Sequence, residues 1–326
     1  MQTAPEAHEA PAHKRVLVLA YSQTGQLAAI TDSLLAPLIA EARISVRVEI
    51  LRPCSPFPFP WPLLRFLDAF PESAHLAPGA IEAPQFAPEE RFDLIILPWQ
   101  VWFLAPSQPV TAFLKHPAAR RLLAGKPVVS VIACRNMWMM AFEKMKGLLD
   151  DCGARLIDNV VLTDRAPTFA TLLTTPAWML TGRRDVIPGL PPAGIGEEEI
   201  RRCSRFGRAL RDALLDDREG GSAPLLKGLR AVEANPRLLT GERAGTRSFL
   251  AWGYLLRAAG KPGSTLRAPL LILYLLFLVL MILTVLPISL TVQALFRPLM
   301  AGRLAGHKAY FEQPSGSGSE RLAQYD

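Results

Sequence analysis

Cysteine is scarce in this chain, and Cys54, Cys134, Cys152 and Cys203 stand too far apart for the close pairs of a zinc site or a disulfide framework. They read as reduced, mostly buried thiols, and no metal is expected. Absent too are the Gly-Lys-Ser/Thr ending of a P-loop and the three spaced glycines that let a pyrophosphate approach. The N-terminus lacks the basic start and apolar run of a secretory signal. Residues 1–13, rich in Ala, Pro, Glu and His, are expected to be a disordered leader, with the folded part in the cytoplasm. Basic residues do not interleave with aromatics, so nucleic acid is not an expected partner. The surplus of cations, 36 Lys and Arg against 29 Asp and Glu, gathers between Arg201 and Arg267 and again at Arg297, Arg303 and Lys308. Those groups flank the most apolar segment, which suits an anionic membrane surface.

Half of the 326 residues are hydrophobic, enough for one large α/β domain and an appendage. Apolar runs at 15–21, 92–98 and 127–133 read as central strands covered on both faces; 45–51 alternates and reads as a strand nearer the edge; 155–162 is a fifth. Helix patterns follow at 27–42, 138–152 and 197–215, the last opening on three glutamates. This alternation predicts a doubly wound α/β fold with five parallel strands. Residues 53–88 interrupt it with prolines and aromatics, as in Pro56-Phe-Pro-Phe-Pro-Trp61, and with a short helix at 63–70. That composition excludes a continuous helix and a solvated linker alike, and predicts a lid or wall.

In such a sheet ligands lie beyond the carboxyl ends of the strands. The first loop there holds Ser22, Gln23, Thr24, Gly25 and Gln26 before a helix. Two hydroxyls, a flexible glycine and free N–H groups at a helix start suit a terminal phosphate without a lysine, although Ser and Thr also serve simply as N-caps. The second loop concentrates Trp99, Gln100, Val101, Trp102 and Phe103. Their rings are a wall for a flat heteroaromatic ligand, or a cap on the core. The third, Cys134-Arg-Asn-Met-Trp138, offers Cys134, Arg135 and Asn136. Arg135 is a candidate to stabilise an anionic reduced ring or an enolate, or else a salt-bridge partner of Asp93 or Glu143. Cys134 has no neighbour to lower its pKa and is not expected to be a nucleophile. A second insertion at 163–196 contributes Asp164, a candidate base, and Thr175. Phe59, Trp61, Trp138 and Thr175 are the candidate substrate contacts.

The Ser22-Gln-Thr-Gly turn with Pro98-Trp-Gln-Val-Trp-Phe-Leu-Ala-Pro106 resembles the flavodoxin-like fold, particularly its quinone-reductase branch. The Pro-Phe-Pro-Trp insert, Cys134-Arg-Asn-Met-Trp138 and Leu156-Ile-Asp-Asn-Val-Val-Leu-Thr-Asp164 are similar to bacterial dialkylresorcinol condensing enzymes, over residues 14 to 215. The resemblance implies strand order 2-1-3-4-5, FMN as cofactor, a ketosynthase partner and an aromatase-type oxidation. It supplies no catalytic base. Homodimers are frequent among flavodoxin-like reductases.

From 268 to 295 no residue is charged. At ~1.5 Å per residue this exceeds the ~30 Å of bilayer hydrocarbon, so a transmembrane or re-entrant helix is expected over 268–296. The expected order is therefore a domain over 14–218, a basic amphipathic membrane-surface segment over 219–267, the apolar helix, and a polar tail over 297–326. A single span with the flexible Ser315-Gly-Ser-Gly-Ser319 beyond it comes first, a re-entrant helix second. The leading reading is a membrane-attached FMN oxidoreductase that aromatises a dialkyl cyclohexanedione, a hydrophobic long-chain substrate, with quinone or oxygen as acceptor. An NAD(P)H-dependent quinone reductase and a non-catalytic membrane scaffold for a ketosynthase are the alternatives.

Overall fold

A computed structural model describes residues 13–87, 90–295 and 297–326. The expected leader, His13 apart, lies outside them. The chain runs β1 (Lys14–Ala20), α1 (Gln26–Ile39), β2 (Ile44–Ile50), α2 (Leu63–Asp68), α3 (Phe70–Ala74), β3 (Leu94–Trp102), β4 (Ala105–Pro106), α4 (Gln108–Lys115), α5 (Pro117–Leu123), β5 (Pro127–Cys134), α6 (Met139–Asp151) and β6 (Arg155–Thr163). It continues with α7 (Thr168–Thr181), α8 (Glu197–Arg201), α9 (Ser204–Leu215), α10 (Leu239–Ala258), α11 (Arg267–Leu295), α12 (Arg297–Phe311) and α13 (Leu322–Tyr325).

Five parallel strands lie in the order β2-β1-β3-β5-β6. Two-residue β4 only folds back on the end of β3, so the main strands follow the flavodoxin-like order 2-1-3-4-5. β1, β3 and β5 are nearly all apolar because helices cover both sheet faces, and their side chains are buried almost throughout. β2 is an edge strand with Val48 and Ile50 exposed. The cover is close: a Cβ on Gly207 of α9 would stand 1.9 Å from the Leu34 carbonyl of α1. No other residue fits that crossing.

Several expectations need correction. The stretch after β3 is not an open loop. β3 runs on to Trp102 and reverses through Phe103 and Leu104, both at positive φ, into β4. The second insertion is irregular only in part: its residues 168–181 form helix α7, with Pro176 inside it and Gly182 at φ +77° closing it, and 183–196 are irregular. The helix expected over 197–215 breaks into α8 and α9.

The segment 219–267 is not a free amphipathic layer. Leu225, Leu226, Leu229 and Val232 enter the main core, and Asp158 of β6 accepts from the N–H groups of Leu225 and Leu226 at 2.7 and 3.1 Å. α10 packs on α3 and α6; a Cβ on its Gly253 would meet His75 at 2.8 Å. The Ser/Gly tail also docks. Arg230 N donates to Gly318 O at 2.7 Å, Val232 N to Gly316 O at 3.1 Å, and fully buried Ser315 bonds Asp158. Small residues let this strand-like tail come within backbone hydrogen-bonding distance, which their composition alone disguised as a linker. A span that delivers the tail to the far side of a bilayer is incompatible with this packing.

Candidate functional site

A cavity of about 220 Å³ opens at the carboxyl ends of β1, β3 and β5. It is lined by Gln23, Thr24, Gln26 and Leu27 from the β1–α1 junction, by Gln100 to Phe103, by Ala133 to Arg135, and by Trp61, Phe66, Asp164, Thr175, Trp178, Met179 and Gly194. Three strand ends and both insertions therefore converge on one hollow, as the crevice rule for open α/β sheets requires.

At the first junction Gly25 is the N-cap of α1 at φ +83°, with nothing within 4 Å of where a Cβ would stand. Ser22 Oγ accepts from Ala28 N at 3.2 Å, and Thr24 Oγ1 accepts from Gln26 N at 3.4 Å. Both hydroxyls thus act as caps, and each keeps its own hydrogen to donate. The N–H groups of Thr24, Gly25 and Leu27 make no hydrogen bond among the described residues. Open space, unspent donors and a helix start make an anion cradle at the cavity's edge, with Ser22 and Gly25 just outside the lining.

The two glutamines of this turn point elsewhere. Gln23 Nε2 donates to Pro58 O at 2.7 Å, and Tyr21 donates to its Oε1, so Gln23 straps down the proline insert. Gln26 holds Ile195 at both backbone positions, Oε1 accepting at 3.0 Å and Nε2 donating at 3.1 Å. Neither amide is available to a phosphate without releasing a wall of the cavity.

On the second loop Trp102 stands in the lining, edge-on to Tyr21, Phe57 and Trp61 with centroids 6.0, 4.9 and 5.7 Å away. Trp99 does not. It is fully buried and its Nε1 donates to Ser130 Oγ of β5 at 2.9 Å, so it caps the core rather than walling a ligand. The buried Gln100 Oε1 has no partner although its residue lines the cavity.

On the third loop Arg135 lines the cavity and makes no ion pair among the described residues. Its one side-chain hydrogen bond among the described residues is Nη2 to Met137 Sδ at 3.8 Å. The carboxylates it might have paired with are spent: Asp93 accepts from Arg15 N at 2.7 Å, and Glu143 pairs with Lys146 at 2.6 Å. Burial pulls the guanidinium pKa down, opposed by Cys134 and Asp164. Cys134 borders the cavity, but burial and then Glu242 push its thiol far up, which makes it inert. Asn136 is not in the lining; its Oδ1 is buried without a partner. Trp138 is core, 5.8 Å from Phe142 and 6.2 Å from Phe311.

Asp164 is nearly buried in the cavity wall, and both its oxygens are engaged: Oδ1 accepts from Ala166 N at 2.9 Å and Oδ2 from Gly194 N at 2.8 Å. With an N–H donor on each oxygen, Asp164 braces the turn at Ala166 and the wall at Gly194. Phe59 is set back behind Trp178, centroids 6.4 Å apart, whereas Trp61 and Thr175 reach the lining. Leu27, Phe66, Trp178, Met179 and Gly194 complete the wall without having been singled out. Trp178 and Met179 lie three and four residues beyond Thr175 on α7, within the same insertion; Gly194 carried no signal.

A tricyclic ring with a phosphorylated tail fits this donor set. The hollow falls below the roughly 300 Å³ usual for drug-sized ligands, so the tail end belongs outside it, at the cradle. No metal-holding cluster of His, Cys, Asp and Glu occurs among the described residues.

No family model and no curated protein matches the chain. Solved structures similar to it include a flavoprotein in complex with FMN from Lactobacillus acidophilus NCFM, 14% identical, covering 46% of this chain and 93% of its own, TM-score 0.37. Flavodoxin 1 from Bacillus cereus is 17% identical over 60% and 94%, TM-score 0.32. A flavodoxin from the domain Archaea is 9% identical over 61% and 98%, TM-score 0.34. The flavodoxin-like assignment rests on the strand order itself.

Proposed function

We propose that this protein is a membrane-attached, FMN-dependent oxidoreductase that aromatises a dialkyl cyclohexanedione made by a ketosynthase partner. The observation that carries the reading is Arg135: a cation in the wall of an aromatic hollow, without an acidic partner, one strand end from an anion cradle. A fixed positive charge in a dry site favours negative charge beside it, whether on a ring edge or on an enolised dione.

The chain's own residues then divide the work. Ser22, Thr24 and the N–H groups of residues 24, 25 and 27 hold a phosphate. Trp102 and Trp178 exclude water and confine a flat ring, and Gln100 accepts from one ligand donor. Asp164 keeps the 193–195 wall closed. FMN, held at Ser22, Thr24 and the α1 start with its ring against Trp102, would supply two-electron acceptor chemistry, with a quinone as the terminal acceptor for the two hydrogens removed from the dione. The cyclohexanedione thereby loses two hydrogens in all and becomes a resorcinol. Phe66, Trp61 and Met179 offer an apolar passage for alkyl chains.

The test is a visible spectrum of detergent-solubilised protein with and without added FMN, repeated for Ser22→Asp. Retention of a yellow chromophore that falls at least tenfold in the variant supports the reading, since a carboxylate there repels a phosphate. Unchanged retention refutes the cradle.

A further inference from the structure

We infer that α11 and α12 form a hairpin that enters one leaflet of a phospholipid bilayer and comes back out on the same side, seating the α/β body on that surface. The inference rests on the membrane attachment in the reading above and is independent of its flavin.

Both ends of the pair are fastened to one body. At the start of α11, Arg267 is fully buried and pairs with Asp68 at 3.1 Å and Glu72 at 3.1 Å, while Tyr274 stacks on Phe70 with centroids 4.3 Å apart. At the end of α12, Phe311 packs on Trp138, and the following tail bonds residues 228–232 and Asp158. The chain leaves the body and must return to it.

The geometry between these anchors matches a shallow excursion. Among the described residues Phe277 and Leu278 are the last of α11 packed on the body; beyond them Val279, Leu280, Leu283 and Ile288 are 45–69% exposed. Residues 279–295 reach roughly 25 Å at 1.5 Å per residue, and the 15 residues of α12 roughly 22 Å. The legs match each other; each falls short of the ~30 Å hydrocarbon core but exceeds the ~15 Å of one leaflet, so the pair lies oblique to the bilayer normal. On α12, Arg303 lies near the middle and His307 and Lys308 on the half nearest the body, where headgroup depth is far cheaper than the midplane, and Arg297 beside the turn favours a shallow pair over a steep one.

Lipid fits this surface better than a second copy of the chain. The elements that meet the start of α11 carry the exposed side chains Arg65, Tyr254, Lys261 and Leu266, a cationic and amphipathic set suited to anionic headgroups. A second copy would bring the same cations together. The exposed face of α11 has no polar side chain from 268 to 283 to set a register, which fluid acyl chains do not need. The hairpin also brings the cavity close to the bilayer. Phe66 and Phe103 line it and belong to the same aromatic cluster that receives Tyr274 and Phe277, so a substrate dissolved in that leaflet has the shortest approach.

The experiment reconstitutes the full chain with phosphatidylcholine vesicles containing phosphatidylglycerol and reads flotation and thiol labelling. Wild-type protein is expected to float; Leu276→Asp/Leu280→Asp, changed at exposed positions, is expected to float about tenfold less while keeping its circular dichroism. A membrane-impermeant maleimide added outside is expected to label native Cys54, which is exposed, and the thiol introduced by Cys54→Ser/Ser319→Cys equally in intact vesicles. The same reagent trapped inside is expected to label neither these nor Cys54→Ser/Ala294→Cys. Labelling of the tail or of position 294 from the lumen overturns the hairpin while leaving attachment standing. Protein that does not float and runs as a detergent-free dimer overturns the lipid surface. Neither outcome touches flavin retention.

Discussion

The Ser315 hydroxyl donates to Asp158 Oδ1 at 2.7 Å and accepts from Asn159 N at 2.8 Å, tying the end of the chain to β6. Ser315→Ala leaves the buried Asn159 N–H unpaired and removes one of three bonds to Asp158, at about 1–3 kcal/mol. Urea unfolding is expected to show that loss, and limited proteolysis should then cut the tail between 313 and 320. A tail as resistant as wild type would contradict the docking.

Two buried carboxylates set the pH dependence of stability. Burial raises Asp158 to about 6, against bonds from Ser315, Leu225 and Leu226, and raises Glu242 to about 7, against the N–H groups of Met140, Met139 and Trp138. With folded pKa values above the unfolded ones, the folded state binds more protons between pH 4 and 7. Stability is therefore highest at the acid end of that window and is lost as pH rises through about 6 and 7. Glu242→Gln is expected to raise the melting temperature at pH 8, worth at most about 3 kcal/mol, and to flatten the profile above pH 6. Differential scanning calorimetry from pH 5 to 8 decides it; a steeper profile in the variant would be the wrong sign.

Trp99 and Trp102 are three residues apart and should behave oppositely. Trp99→Phe loses the bond to Ser130 and costs about 1–2 kcal/mol in thermal stability, with ligand uptake unchanged. Trp102→Ala opens the cavity wall and is expected to weaken FMN uptake at least tenfold in a fluorescence titration. Equal effects on uptake would remove the distinction drawn between core and wall.

Asp164→Ala frees the N–H groups of Ala166 and Gly194 and is expected to cost about 2 kcal/mol and to loosen the wall at 193–195. Hydrogen exchange over that segment should rise. If turnover vanishes while exchange and stability hold, Asp164 is a base after all and the bracing role is secondary.

Much of this was readable in advance because it is local. Continuous apolar runs mark central strands, and the strand–Ser–Gln–Thr–Gly–helix junction is complete within a dozen residues. Trp99 was misassigned because in a strand buried on both faces periodicity does not say which side chain meets a cavity and which meets core. The reversal at Phe103 and Leu104 was hidden for a different reason. A tight turn with two positive-φ residues normally announces itself with Asn or Gly, and here two bulky residues bear the strain because Phe103 packs on Phe66 and Phe70.

What the amino-acid order determined unaided is the alternation of strands and helices, the phosphate-type turn and the apolar length of α11, since each depends on neighbours a few positions away. Only the tertiary structure decided that the Ser/Gly tail docks on residues 228–232 and, through Ser315, on Asp158, that Arg135 has no ion-pair partner among the described residues, and that both ends of α11 and α12 belong to one body. Those are pairings across tens to hundreds of residues, and a buried charge or a docked strand is defined by what surrounds it in space.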